Sequence, residues 1–239
     1  MTDTSLEAAI LANLDGINRR IAAAATRSGR GPGAVRLVAV SKTFSADHVR
    51  AAVAAGQRDF GENRVQEALQ KIGETADTGI RWHLIGHLQS NKVRRAVGPF
   101  ALIHSVDSVD LLRRIDVASA EAGLSTQVLL QVDLAGEPTK FGAVTADVER
   151  MLDAARGCRH AKVSGFMLLP PLFDDVELVR PFFRELRTLR DGWLAAGVPG
   201  DMLRELSMGM SHDFEVAIEE GATIVRVGTA VFGVRPPRA

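Results

Sequence analysis

Lys42 leaves the apolar run Leu37-Val-Ala-Val-Ser41 and is a candidate amine nucleophile. Apolar walls and nearby positive charge would lower its pKa, and a neutral amine condenses with carbonyl groups to form a Schiff base. The position also suits a lysine whose stem covers apolar surface while its ammonium reaches water, and the local sequence leaves both readings open. Two glycine-bearing turns suggest an anion nearby. Ser207-Met-Gly-Met-Ser211 runs from a strand toward a helix, whose unpaired first-turn amides and dipole favour negative charge, and Gly228-Thr229 offers a second close backbone approach. Ser211 and Thr229 add hydroxyl donors. Taken singly, these residues also read as structure, with Ser211 or Asp213 capping a helix and Gly228 turning the chain.

Arg226 stands inside the apolar run Thr223-Ile-Val-Arg-Val227, where an unpaired guanidinium is costly to bury. Its partner is either a carboxylate such as Glu205 on the neighbouring strand or a ligand group. His83, His87 and His104 lack the helical spacing and third ligand of a zinc site, so no metal is expected, and His83 and His104 read as satisfied core residues. Lys92, Arg94 and Arg95 read as a solvated helix face, with no interleaved aromatics to stack RNA bases.

The elements that must position these groups follow from hydrophobic spacing. An amphipathic helix is expected over 4–28, with Ile10, Leu14, Ile17 and Ile21 on one face, stopped by the glycine-rich stretch 29–33. Beyond it, strands are expected over 37–40, 58–60, 82–85, 102–105, 128–132, 162–167, 205–207 and 223–227. Helices are expected between them over 46–55, 63–74, 90–97, 108–122, 145–156, 176–196 and 211–220. Strands apolar on nearly every residue and joined by helices imply a parallel sheet covered on both faces. Eight such units favour closure into a (β/α)8 TIM barrel. An open doubly wound sheet is the alternative, but no glycine-rich phosphate turn follows the first strand. One domain is expected over 1–239, with helix and linker at 1–33 and the barrel at 34–235. In that barrel Lys42 after the first strand, Gly61-Glu62-Asn63 after the second, Gly86-His87 after the third, Ser207-Met-Gly-Met-Ser211 after the seventh and Gly228-Thr229 after the eighth all gather at one mouth.

Composition narrows the function. Lys plus Arg and Asp plus Glu are both 29, so no net field draws the chain to nucleic acid or an anionic membrane. The single cysteine, Cys158, excludes an internal disulfide. No leader-like start and no long uncharged apolar run are present, so a cytoplasmic protein that crosses no membrane is expected.

Read together, Val38-Ala-Val-Ser-Lys42-Thr, Phe60-Gly-Glu-Asn63, Trp82-His-Leu-Ile-Gly86 with Leu88-Gln-Ser-Asn-Lys92, Lys140-Phe-Gly142, Leu206-Ser-Met-Gly-Met-Ser211 and Val225 to Gly233 strongly resemble the pyridoxal phosphate homeostasis protein family. The resemblance spans about 36–233. It implies a fold similar to the N-terminal barrel of bacterial alanine racemase and the cofactor pyridoxal 5′-phosphate (PLP). By the same resemblance Lys42 matches the Schiff-base lysine, Ser211, Gly228 and Thr229 the phosphate-binding positions, Arg226 the arginine facing the pyridine nitrogen, and Asn63 and Ser207 pocket residues. Two departures stand out: Phe44 replaces a second lysine of many relatives, and Glu137-Pro-Thr precedes Lys140 in place of an acidic-serine stretch.

A carrier and a catalyst then compete. A racemase of this fold needs a second acid/base opposite the lysine, which in alanine racemase is a tyrosine from a partner subunit's C-terminal domain. This chain contains no tyrosine and ends soon after the barrel closes. The expectation is a PLP carrier or buffer with no catalytic residues, monomeric, passing cofactor to PLP-dependent apo-enzymes. An aldolase-like barrel using Lys42 with Glu62 as acid/base is a third reading.

Overall fold

The computed structural model describes residues 3–136 and 141–234, so Lys140 and the Glu137-Pro-Thr departure lie outside the described residues. Strands β1 (Arg36–Val40), β2 (Asp59–Glu62), β3 (Arg81–Leu84), β4 (Leu102–Val106), β5 (Thr126–Val132), β6 (Ala161–Leu168), β7 (Glu205–Ser207) and β8 (Ile224–Val227) form a closed barrel in sequence order. All neighbours are parallel, and β1 closes on β8 through Leu37 opposite Val225 and Ala39 opposite Val227. The open-sheet alternative is thereby set aside. Continuous burial explains the closure: β4 and β8 are buried at every residue, so neither sheet face could be left to water.

Helices α2 (Ala46–Ala54), α3 (Val65–Glu74), α4 (Val93–Ala96), α5 (Val109–Glu121), α6 (Thr145–Ala155), α7 (Arg180–Ala195) and α8 (Phe214–Glu219) alternate with the strands, and α9 (Thr229–Phe232) follows β8. The expected N-terminal helix is α1 (Asp3–Arg27), and its apolar stripe of Ile10, Leu14, Ile17 and Ile21 is buried. It packs on α2, α8 and α9, and Arg20 and Arg27 pair with Glu215 and Glu219 at 2.7 and 2.8 Å.

Several helix boundaries differ from the sequence expectation, and α7 starts at Arg180 rather than at 176, after a separate tight turn over Val176–Leu178. The segment from Ser211 becomes helical only at Phe214, because Ser211 and Asp213 are committed to the preceding turn: Asp213 Oδ1 accepts from Met210 N at 2.6 Å, and Ser211 Oγ from Gly228 N at 3.1 Å. Asn63 is a bend and Arg64 is extended ahead of α3, and Ser90–Lys92 is a tighter turn leading into the four-residue α4. The short α9 was not anticipated, since four residues carry no periodic signal.

Candidate functional site

Beyond the carboxyl ends of the strands lies an open cavity of about 440 Å³. Its wall is formed by Lys42 after β1, Asn63 after β2, Met210 to Asp213 after β7, Arg226 on β8, and Gly228 and Thr229 after it, with Val40, Ile85, Leu169 and Leu172 as apolar lining. Six of the seven residues singled out from sequence therefore meet at one wall. Ser207 is the exception, fully buried beneath it, where it contacts Arg226 rather than the cavity.

The lysine-bearing turn is held from below. Lys71 Nζ on α3 donates to the Ser41 carbonyl at 2.8 Å, to Glu62 Oε1 at 2.7 Å and to Glu67 Oε1 at 2.9 Å. Ser41 Oγ donates to the same Glu62 oxygen at 2.6 Å, and Thr43 N–H to Glu67 at 2.8 Å. Thr43 has φ of 71°, a left-handed conformation that a β-branched residue rarely adopts. Lys42 is thus presented from a strained turn clamped by a buried ion cluster. Burial pushes the Glu62 carboxyl up, against the pull of Lys71 and Ser41; Glu67 is lowered, because the Thr43 amide and Lys71 outweigh its own partial burial. Glu62 is fully buried and absent from the cavity wall, which removes the acid/base neighbour that an aldolase reading required.

Two glycines allow the walls to approach. A Cβ on Gly86 would lie 2.2 Å from the Asn63 carbonyl oxygen, so only glycine lets the chain after β3 pass behind Asn63. Gly209 has φ of +94°, and a Cβ there would lie 2.6 Å from that of Ala217. Gly209→Ala combines steric overlap with a disfavoured backbone, and urea unfolding is expected to show a loss of about 1–3 kcal/mol.

Arg226 is almost completely buried, and its Nη1 donates to Ser207 Oγ at 2.5 Å and its Nη2 to the Leu168 carbonyl at 2.8 Å. Burial lowers its pKa to about 10, with Asp213 opposing, so the group stays charged at neutral pH. The expected alternative partner, Glu205, instead accepts from Thr223 Oγ1 at 2.5 Å and faces Arg36 at 3.8 Å. Register explains this, because Ser207 aligns with Ile224, so Glu205 lies about four residues, roughly 13 Å, below Arg226 along the barrel. His83 and His104 are buried and hydrogen-bonded, as core histidines should be.

His212 and Asp213, also on the wall, were not singled out as site residues; their positions one and two residues past Ser211 were the available signal. Phe44 is buried with its ring 5.1 Å from Phe232 and 5.2 Å from His48, away from the cavity lining.

Comparison with known proteins agrees with this geometry. Residues 12–236 match the family model for the alanine racemase N-terminal domain. Proteins called pyridoxal phosphate homeostasis protein are similar along nearly their full length: that of Aquifex aeolicus is 41% identical, covering 93% of this chain and 96% of its own, and that of Pseudomonas aeruginosa is 43% identical, covering 95% and 96%. The structure of PipY from Synechococcus elongatus with PLP bound superposes with a TM-score of 0.80 at 43% identity, covering 91% of this chain and 100% of PipY. Alanine racemase from Streptomyces coelicolor shares the fold at a TM-score of 0.73 and 22% identity, with this chain spanning 59% of it. Identity of this order over almost the whole length, on a shared barrel, means that the chain belongs to the pyridoxal phosphate homeostasis protein family.

Proposed function

We propose that the chain binds pyridoxal 5′-phosphate at the barrel mouth, covalently through Lys42, and holds it as a cellular reserve without turnover of its own. One observation carries this reading: an amine, two hydroxyls from separate turns and a permanently charged donor line the same cavity. Bound there, the cofactor supplies an aldehyde that condenses with a primary amine and releases water.

The residues fit such a ligand. Ser211 Oγ accepts from Gly228 N, which leaves its own hydroxyl hydrogen for an anion, and Thr229 offers another. A Cβ at Gly228 would lie 3.3 Å from the Val40 carbonyl, so glycine keeps this cradle narrow. Arg226 has no acceptor atom, and a ring nitrogen facing it must therefore be unprotonated, which makes the ring a weaker electron sink. Asn63, on the same wall, is available to the ring substituents, and Ser207 supports Arg226 from beneath.

The non-catalytic part of the reading rests on the wall. Its titratable groups besides Lys42 and Arg226 are His212 and Asp213, both on the turn that carries Ser211 at the phosphate end. The sequence holds no tyrosine to serve as a second acid/base on the ring face opposite the lysine. An open mouth also lets water and partner proteins reach the bound group. The full reading treats 1–239 as one PLP-binding domain, monomeric and cytoplasmic, that delivers cofactor to PLP-dependent apo-enzymes and so affects amino-acid and keto-acid pools indirectly.

The test is an absorbance spectrum of the purified protein with PLP, before and after borohydride, followed by peptide mapping. A visible band that reduction abolishes, with the label on Lys42, is the expected result. Label elsewhere, or racemisation of common amino acids at enzyme-like rates, would overturn the corresponding half of the reading.

A further inference from the structure

A line of buried polar side chains crosses the barrel interior from its closed end to the cavity. Asp59 is the first residue of β2, at the end of the barrel opposite the mouth, and Arg81 grips both of its carboxylate oxygens at 2.8 and 2.6 Å. Asp59 Oδ1 faces His83 Nε2 at 3.0 Å, His83 Nδ1 faces His104 Nε2 at 2.9 Å, and His104 Nδ1 faces Ser207 Oγ at 2.8 Å. Arg226 Nη1 completes the line on Ser207. Five strands each contribute one member, and all five are at most 5% exposed.

The hydrogens along this line have one consistent arrangement. A guanidinium only donates, so Ser207 Oγ accepts from Arg226 and directs its own hydrogen to His104 Nδ1. His104 must then carry hydrogen on Nε2 and donate to His83 Nδ1, which leaves His83 to donate from Nε2 to the Asp59 carboxylate. The reverse order would aim a lone pair of His83 at that carboxylate and leave the Ser207 hydroxyl hydrogen with no acceptor among the described residues, both unfavourable in a buried setting. Burial keeps both imidazoles neutral, His104 most of all, and Asp59 ionised because His83 and Arg81 outweigh its own burial.

We propose that Asp59, His83, His104 and Ser207 are positioning residues that act through this proton-ordered line to fix the Arg226 guanidinium, so that the cavity accepts a ring nitrogen only as a hydrogen-bond acceptor. This deepens the proposed PLP site and rests on it. Asp59 touches no part of the cavity wall, so any effect of its substitution on ligand recognition must travel along the line.

Two measurements decide it. In the ligand-free wild type, nitrogen NMR at pH 7 is expected to place hydrogen on Nε2 of both His83 and His104; hydrogen on Nδ1 of either, or an imidazolium, overturns the proposal without touching the PLP reading. In the second, PLP and its N-methylated analogue, which offers no ring acceptor, are bound to wild type and Asp59→Asn. The wild type should favour PLP, and the substitution should reduce that preference by about tenfold, the worth of one hydrogen bond to a charged group, and shift the bound absorption maximum. An unchanged ratio and spectrum in a folded Asp59→Asn protein refute the proposal. Failure of the wild type to bind PLP at all would refute the site reading and this proposal together, whereas a variant that does not fold leaves the decision to the ligand-free spectrum.

Discussion

Lys42→Ala is expected to lose all PLP that borohydride can fix to the protein, and its visible band, falling to the level of protein without cofactor. The cavity wall holds one primary amine among the described residues, and only an amine condenses with the aldehyde. Lys71 cannot substitute, because its ammonium is spent on Ser41, Glu62 and Glu67. Phe44 packs away from the cavity, so the next residue but one offers no reserve amine either. Lys42→Arg keeps the charge and most of the stem but forms no stable adduct, and separates loss of chemistry from loss of electrostatics. Both variants should keep weak, dialysable binding through Ser211, Thr229 and Gly228, readable by equilibrium dialysis. Full retention of reducible cofactor by Lys42→Ala would mean that the anchor lies elsewhere.

Lys71→Met is expected to cost about 3–5 kcal/mol in urea unfolding, the range for removing one partner from a buried ion pair. Glu62 is completely buried, its Oε2 lacks a hydrogen-bond partner among the described residues, and Glu67 lies beside it. Without the ammonium, two carboxyls share a site that no longer compensates either charge. Adding Glu62→Gln removes the uncompensated charge, and the double variant should recover a measurable part of the loss, a coupling that a double-mutant cycle reads directly. The same change loosens the grip on Ser41 and Thr43, so borohydride labelling of Lys42 should become slower or incomplete where the variant still folds. A loss below about 1 kcal/mol, typical of exposed pairs, would show that the cluster does not hold the turn.

The elements were legible because their signals are local. Runs such as Leu37 to Val40 and Val128 to Val132 are apolar on nearly every residue, which only a strand covered on both faces requires, and the stripe from Ile10 to Ile21 has helical period. Lys42, Asn63, Ser211, Gly228 and Thr229 could be grouped from sequence because each lies within a few residues of the carboxyl end of a strand, and a parallel barrel brings all such positions to one end. The start of α8 was misread for a similar reason: a Ser and an Asp before an apolar run suit a cap, but here Ser211 is held by Gly228 from another turn.

What the amino-acid order determined by itself was therefore the inventory of strands and helices, the closure they favour, and the residues at the mouth. Partnerships across the barrel were decided only by the tertiary structure. Whether Arg226 meets Glu205 or Ser207, and whether His83 and His104 face Asp59 or each other, depends on the stagger between strands far apart in sequence, which alternation within one strand does not encode. The ion cluster under Lys42 likewise needs the side chain of α3 to reach back over β1 and β2, a contact fixed by helix-on-sheet packing rather than by spacing along the chain.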